Sequence, residues 1–315
     1  KSNEECLYIT FYCISEFLII ENFRIYFFSK NIFQISLDAF YSDSEKISFY
    51  SLKIICAMIE IAFKNSFQFD IGKLLDKLEI DIYKSLRHEY FVVSILRSIV
   101  EFSDFSIHYE KIIDILCNIT IDETTSETLN EVGETVYSIL NQNFNYFFHM
   151  YYRAGIVGIL LEQLNENTIQ TYDIHFAIPI LRIILCVINN FKDSQPDKAI
   201  HFAKSISYKK YEELIRNSTI ELSELALEAI SYLLKFEREN YLEFERVMAN
   251  FIAEAPFTKK HLGIKFFLSA SDDMDDIQNL DLLLNLNIIE NCSFCLDSDE
   301  CDVLNNFLMI ILNLL

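Results

Sequence analysis

Few residues in this chain could do chemistry, and their spacing argues against most of what they could do. Cys292-Ser-Phe-Cys295, with Cys301 close behind, has the spacing of half a zinc site, since two thiolates two or three residues apart can reach one tetrahedral ion. A second pair is missing, and His261 stands 31 residues before Cys292. These thiols therefore read as core or half-buried groups along and after a helix. Asp272-Asp-Met-Asp-Asp276 and Asp297-Ser-Asp-Glu-Cys-Asp302 are acidic clusters. A calcium loop counted from Asp297 would need Gly in sixth place and Glu in twelfth, and finds Asp302 and Leu308. Solvated loops and acidic helix starts account for them better. His88, His108, His149, His175, His201 and His261 form no His-x-x-x-His pair. Phosphate-binding glycine loops and the Gly-x-Ser-x-Gly elbow are likewise absent from the sequence, so the chain reads as non-enzymatic, without cofactor or metal.

Charge narrows the partners. Twenty-six Lys and Arg face 47 Asp and Glu, a formal net charge of −21. Phosphate neutralisation needs clustered cations, so the charge argues against nucleic acid as a main partner, and against anionic membrane surfaces. A basic protein or peptide fits the sign. The most apolar stretches, 7–28 and 174–191, are interrupted by Glu16, Glu21, Arg24 and Arg182, which tells against a membrane span. Most of the eight cysteines lie in apolar runs, where Cys acts as a small hydrophobe. That pattern favours a reducing, intracellular setting, cytoplasmic or nuclear, over a disulfide framework.

The elements that would carry a binding surface are helices. Five glycines and three prolines in 315 residues leave little material for tight turns or phosphate loops. Apolar residues recur at i, i+3 and i+6, one helical stripe. The stripes are Ile14/Phe17/Ile20, Ile55/Met58/Ile61, Leu96/Ile99/Phe102, Val136/Ile139 with Gln142 breaking the third place, Leu185/Ile188/Phe191, Leu227/Ile230/Leu233, Ile264/Phe267/Ala270 and Leu308/Ile311/Leu314. The i+5 positions are Ile19, Glu60, Glu101, Asn141, Asn190, Tyr232, Ser269 and Asn313, separated by 41, 41, 40, 49, 42, 37 and 44 residues. Helical repeat units of two or three helices run at about 40–47 residues. The longest interval contains the polar stretch Asn165–Tyr172, which reads as an enlarged loop. Capping boxes at Ser42–Glu45, Thr124–Glu127, Ser218–Glu221 and Asp297–Glu300 place helix starts in phase with the stripes, and Pro256 before Thr258 marks another.

Two segments resemble armadillo repeats. Leu283–Leu315 is similar to that repeat's second and third helices, and Ala154-Gly-Ile-Val-Gly-Ile-Leu-Leu-Glu-Gln-Leu164 resembles a second-helix opening. Asn190 and Asn313 match the Asn near the end of the family's third helix. The resemblance covers about a third of the chain by motif, and the rest by period. It implies an all-α solenoid over 1–315, a superhelix of about seven to eight stacked units. Third helices of such proteins line a concave groove, and in importin alpha a ladder of Trp and Asn there holds basic peptides. This chain has no Trp. Four residues before the Asn-equivalent positions stand Cys56, Arg97, Tyr137, Cys186, Glu228, Lys265 and Met309. The resulting surface is mixed rather than a regular ladder.

The function expected from this reading is a scaffold or adaptor that holds an extended segment or helix of a partner protein. The candidate contact residues are Glu60, Arg97, Glu101, Tyr137, Asn141, Asn190, Glu228, Tyr232, Lys265 and Asn313. The alternatives are a nuclear-transport or cargo adaptor of importin-alpha-like type, the helical regulatory region of a larger enzyme, or a structural assembly component. The aromatic run Asn145–Arg153 reads as a first helix packed on its neighbours, or else as an aromatic contact patch. The apolar run Phe307–Leu315 lacks the polar outer face of a terminal unit, so the chain is expected to be a fragment of a longer array or to be capped by a partner.

Overall fold

The computed structural model describes residues 2–81, 86–119, 125–166, 174–217, 219–234, 244, 247–248, 251, 261–265, 305 and 308–309. Among these, helix is the only regular structure. The zinc-like cysteines, both acidic clusters, the helix start at Pro256 and Asn313 lie outside the described residues, as does nearly all of 283–315. The chain divides into two compact units, Lys1–Leu160 and Leu161–Leu315.

The first unit contains α1 (Ser2–Phe17), α2 (Glu21–Ser29), α3 (Ile32–Phe40), α4 (Glu45–Lys64), α5 (Ile71–Asp81), α6 (Leu86–Phe102), α7 (Tyr109–Asn118) and α8 (Ser126–Gln142), and the division falls within α9 (Ile156–Glu166). The long helices form a row: α1 packs on α4, α4 on α6 and α6 on α8. Shorter helices accompany them, with α3 against α4, α2 against both, and α5 against α6 and α7. The row is written into the burial pattern. The same order of buried and half-buried positions occurs over 50–59, 91–100 and 131–140. Two apolar stripes per helix produce it, because each long helix must cover apolar surface on both sides.

The stripes read from the sequence make this core. Ile55, Met58, Leu96, Ile99, Val136 and Ile139 are fully buried. The polar break at Gln142 is a hydrogen bond: its Nε2 donates to the Val100 carbonyl at 2.8 Å, satisfying an acceptor in the last turn of α6 that the helix itself leaves open. The first stripe is a correction. Phe17 and Ile20 are half exposed, and Phe11 and Ser15 of α1, with Leu18 just after it, are buried instead. The segment is apolar on opposite faces, so the period alone selects either one.

The second unit contains α10 (Ala177–Phe191), α11 (Pro196–Ala203), α12 (Tyr208–Asn217) and α13 (Ile220–Leu234). Here α10 packs on α11 and α13, and α12 on α13. Leu185, Ile188, Phe191, Leu227, Ile230 and Leu233 are buried as the stripes require. Asn165, expected in a loop, belongs to the last turn of α9, so any loop starts later. Its side chain donates to the Ser205 carbonyl at 2.6 Å and accepts from the Ser207 amide at 3.2 Å.

Helix ends are set by local side chains. The N-cap of α8 is Thr125, one residue after the expected Thr124, and its hydroxyl accepts from the Thr128 amide. The N-cap position of α4 is Ser44 rather than Ser42, whose hydroxyl accepts from the Ser44 amide at 3.2 Å. Thr219 accepts from the Leu222 amide ahead of α13. Helix α4 stops in a double turn: the Phe67 amide donates to the Ala62 carbonyl and the Ser66 amide to the Phe63 carbonyl, with Ser66 at φ 53°. That left-handed position is one where glycine is favoured. The second helical opening, at Gly155, has glycine at φ 73°.

One device recurs that the sequence pattern did not reveal. Ser48 occupies the fourth position of α4, and its hydroxyl donates to the Phe40 carbonyl at the end of α3 (3.1 Å). Ser223, fourth in α13, shares its hydroxyl between the Ile215 carbonyl of α12 (3.0 Å) and the Thr219 carbonyl one turn back (2.9 Å). In both places a buried serine satisfies a carbonyl that the preceding helix end leaves open. A second buried polar pair lies at the α5–α6 junction, where His88 Nδ1 stands 3.5 Å from Asp81 Oδ2 and the imidazole stacks on Phe49.

The aromatic run is not an ordinary helix. A 3₁₀ turn (Phe144–Tyr146) leads into a π turn (His149–Arg153). Phe147 and Met150 are buried, whereas Phe148 and Tyr152 stack together in the open. Tyr109 stacks on Tyr146 at 3.7 Å and its hydroxyl meets His149 Nδ1 at 3.0 Å.

Two opposite substitutions test these ends. Ser66→Gly relieves a left-handed serine and is expected to raise stability by about 0.5–1 kcal/mol. Ser48→Ala leaves the Phe40 carbonyl buried without its donor and is expected to cost about 1–2 kcal/mol. Urea unfolding of each variant reads both, and a shift of the wrong sign in either rejects the corresponding account.

Candidate partner-binding faces

Helical register sets where the candidate residues fall, since positions four apart share a face. Glu60 is exposed on α4 and ion-paired with Lys64 one turn on. The Lys64 ammonium also lies over the Phe102 ring of α6, 5.6 Å from its centre. On α6, Arg97 Nε donates to Glu101 Oε1 at 2.8 Å, and Nη1 reaches Glu131 Oε1 of α8 at 3.5 Å. Ser138 of α8 donates to the same Glu101 oxygen at 3.5 Å. Arg97, Glu101 and α8 thus meet as the register requires, with Tyr137 half-buried and Asn141 exposed further along α8.

This face is acidic. Burial pulls the Arg97 guanidinium down, but its bond to Glu101 and the charges of Glu101, Glu131 and Glu134 together raise it above its ordinary value. Burial raises the Glu131 carboxyl, outweighing the opposing pull of Arg97, and Glu134 and Glu101 add to the rise. Tyr90, beside them, is raised by burial and then by Glu131.

In the second unit, α10 and α13 border an open cleft of about 870 Å³. Leu185, Ile188, Leu225 and Leu227 supply apolar surface. Asp193, Glu221, Glu224 and Glu228 face Lys192 and Lys265 around it, an excess of carboxylates. Three candidates, Glu228, Tyr232 and Lys265, line this cleft together. Lys265 Nζ pairs with Glu224 Oε1 at 2.7 Å, and His261 Nε2 stands 3.8 Å from the same oxygen. Arg182 Nη2 holds Glu221 Oε1 at 2.7 Å. The Tyr232 hydroxyl is raised, by burial first and by Asp193 second. Asn190 turns back, donating to the Cys186 carbonyl at 2.8 Å, while its neighbour Asn189 lines the cleft.

Sequence reasoning missed Asp193, Glu221, Glu224 and Leu225. For the three on α13 the signal was available: 221, 224/225, 228 and 231/232 form one stripe of a helix, of which only 228 and 232 were taken. Of the described cysteines, Cys56 and Cys186 are half-buried, but Cys6, Cys13 and Cys117 are exposed rather than core residues. Desolvation pushes the Cys56 thiol up to about 11, which leaves it unreactive near neutrality. Among the described residues no group of three or more His, Cys, Asp or Glu could hold a metal ion, and no described helix is long and apolar enough to cross a membrane.

No protein-family model matches the chain, and no curated protein matches it significantly in sequence.

Glu131 gives a pH test. Its carboxyl is raised in the folded state, so the folded protein binds that proton more tightly than the unfolded chain. Its contribution therefore falls as pH rises from the ordinary carboxylate range through the raised value, and it opposes folding at neutral pH. Glu131→Gln is expected to leave stability at pH 7 unchanged or higher, with less gain on acidification than wild type. Denaturant midpoints at pH 5 and 7 measure this. A loss above about 1 kcal/mol at pH 7, more than an ion pair of this kind usually contributes, would show that the Arg97 contact dominates.

Proposed function

We propose that this chain is a non-enzymatic, protein-binding scaffold or adaptor, built as an armadillo-like α-solenoid, that holds an extended segment or helix of a basic partner. The recurrence of one burial pattern over 50–59, 91–100 and 131–140 supports the stacked-repeat architecture. The binding assignment is carried by the convergence of Glu228, Tyr232 and Lys265 on one cleft, because those positions were chosen from the repeat period and the ladder positions of the resembling family, without reference to any cleft. An apolar floor with a carboxylate-rich border suits a partner helix or strand bearing both apolar and basic side chains. Glu60, Glu101 and Arg97 present a similar mixture on the first unit. Glu60 and Glu101 are held by cations of their own chain. Exposed pairs of this kind are worth about 0–1 kcal/mol, so an incoming arginine or lysine displaces them at small cost.

The test is capture of partners from native extract by wild type and by a Glu60→Lys/Glu101→Lys/Glu228→Lys variant, read by mass spectrometry. A stoichiometric partner is expected with wild type, weakened by salt and absent with the variant. Identical partners with both proteins would remove the carboxylates from the binding surface.

A further inference from the structure

The four carboxylates around the cleft between α10 and α13 are not equivalent. Glu221 is held by Arg182 and Glu224 by Lys265, each at 2.7 Å. Asp193 and Glu228 are exposed, and neither has an ion pair or hydrogen bond among the described residues. Lys192, the other lysine of the lining, donates to Asn189 Oδ1 at 3.2 Å instead. The two unneutralised carboxylates come from different elements. Asp193 follows the end of α10, and Glu228 stands within α13. Tyr232 lies one turn beyond Glu228 on the same face, and the Asp193 charge reaches its hydroxyl, raising it second only to burial. The path of the chain after α10 thus brings Asp193 beside the face of α13 that carries Glu228. Leu185, Ile188 and Leu225 supply the apolar surface of the same cleft.

Size and charge narrow the occupant. A cleft of about 870 Å³ falls in the range that encloses a drug-sized ligand, so it takes a few side chains of a partner rather than a folded surface. With Glu221 and Glu224 already neutralised, the open charge is that of Asp193 and Glu228, and it calls for a cation. A guanidinium suits the place better than an ammonium. It offers five N–H donors in a planar fork, so it can address two carboxylates from different directions, and it is weakly hydrated and stacks on aromatic rings such as that of Tyr232. An ammonium is a compact, strongly hydrated charge that loses more on entering a partly apolar cleft. The aliphatic stem of an arginine also covers leucine and isoleucine surface. In an extended segment the side chain two residues along points the same way, and an aliphatic one there covers the apolar surface that remains. We infer that this cleft is an arginine-anchoring site: one arginine of an extended partner segment sits between Asp193 and Glu228, and an aliphatic side chain two residues along the segment lies against Leu185 and Leu225. The inference rests on the partner-binding reading of the cleft and specifies the chemistry of the segment bound there.

Fluorescence anisotropy with the full chain tests it. The probe is a fluorescein-labelled peptide with one Arg-Ser-Leu core in a Gly-Ser frame, compared with its Lys-Ser-Leu, citrulline-Ser-Leu and Arg-Ser-Ser counterparts. Wild type is expected to bind the arginine peptide saturably, the lysine peptide about tenfold more weakly and the Arg-Ser-Ser peptide about fivefold more weakly. Citrulline, which keeps the shape without the charge, is expected to abolish saturable binding. This comparison needs no variant to fold. Asp193→Asn and Glu228→Gln are each expected to weaken the arginine peptide about fivefold. Glu221→Gln removes an equal charge from the same cleft, but one already held by Arg182, and is expected to change binding by less than about twofold. Equal losses from Glu221→Gln and Glu228→Gln, or equal binding of the lysine and arginine peptides, overturn the arginine site. They leave the broader reading of a basic partner standing, because a diffuse acidic field gives that result. A wild type that binds none of the peptides also overturns the inference, and capture of partners then decides the broader reading by itself.

Discussion

Each of α4, α6 and α8 must cover apolar surface on two sides, and a single neighbour cannot do that. Leu52, Ile55 and Ile59 of α4 are all wholly buried, in a helix flanked by α1, α3 and α6. A helix with a single apolar stripe would be content with one partner and a solvated back. These helices demand a row, and the row dictates the rest. It fixes which positions stay half-buried, and it brings Arg97 of α6 within reach of Glu131 of α8. The buried serines and Gln142 follow from the same constraint. Once helices are packed this closely, their terminal carbonyls lose water and must find donors inside the protein.

The helices and their core stripes were legible because a helical apolar period survives any local accident of composition. Ile55/Met58, Leu96/Ile99 and Leu227/Ile230 came from spacing alone and are buried. The period failed at Ile14/Phe17/Ile20, where both faces of the helix are apolar and nothing in one sequence says which is inward. Helix starts were displaced by a residue or two for a different reason. Ser42-Asp-Ser44 and Thr124-Thr125-Ser126 each offer several hydroxyls in succession, so local composition alone leaves the capping position open by a residue or two. The π turn at His149–Arg153 was out of reach, since widening a turn by one residue leaves no trace in composition.

The candidate surface was half legible. Selecting two positions per helix found Glu228 and Tyr232, and the ladder logic added Lys265. It could not find Asp193, which follows the end of α10 and comes to the cleft through the path of the chain rather than the helical period. Nor could it show that Asn190 spends its side chain on the Cys186 carbonyl. Electrostatics, by contrast, were apparent early in sign and only later in detail. The chain's acidity appears locally as carboxylates gathered around single cations: Glu101, Glu131 and Glu134 near Arg97, and Asp76 and Glu79 beside Lys111. These are arrangements in which one cation restrains several negative charges, so an added cation meets a favourable field.

The row of long helices also bears on how the protein comes into being. Within the first unit, α4, α6 and α8 each lean on a helix that begins about 40 residues away, and the serine of α4 reaches back only eight residues to the end of α3. Contacts this near in sequence close small loops at small entropic cost. A segment leaving the ribosome therefore finds its docking site already made by the segment before it. Synthesis at a few residues per second gives each helix seconds to settle before the next arrives. Such a chain can consolidate in the order it is translated, with the exposed apolar edge advancing along the molecule one helix at a time.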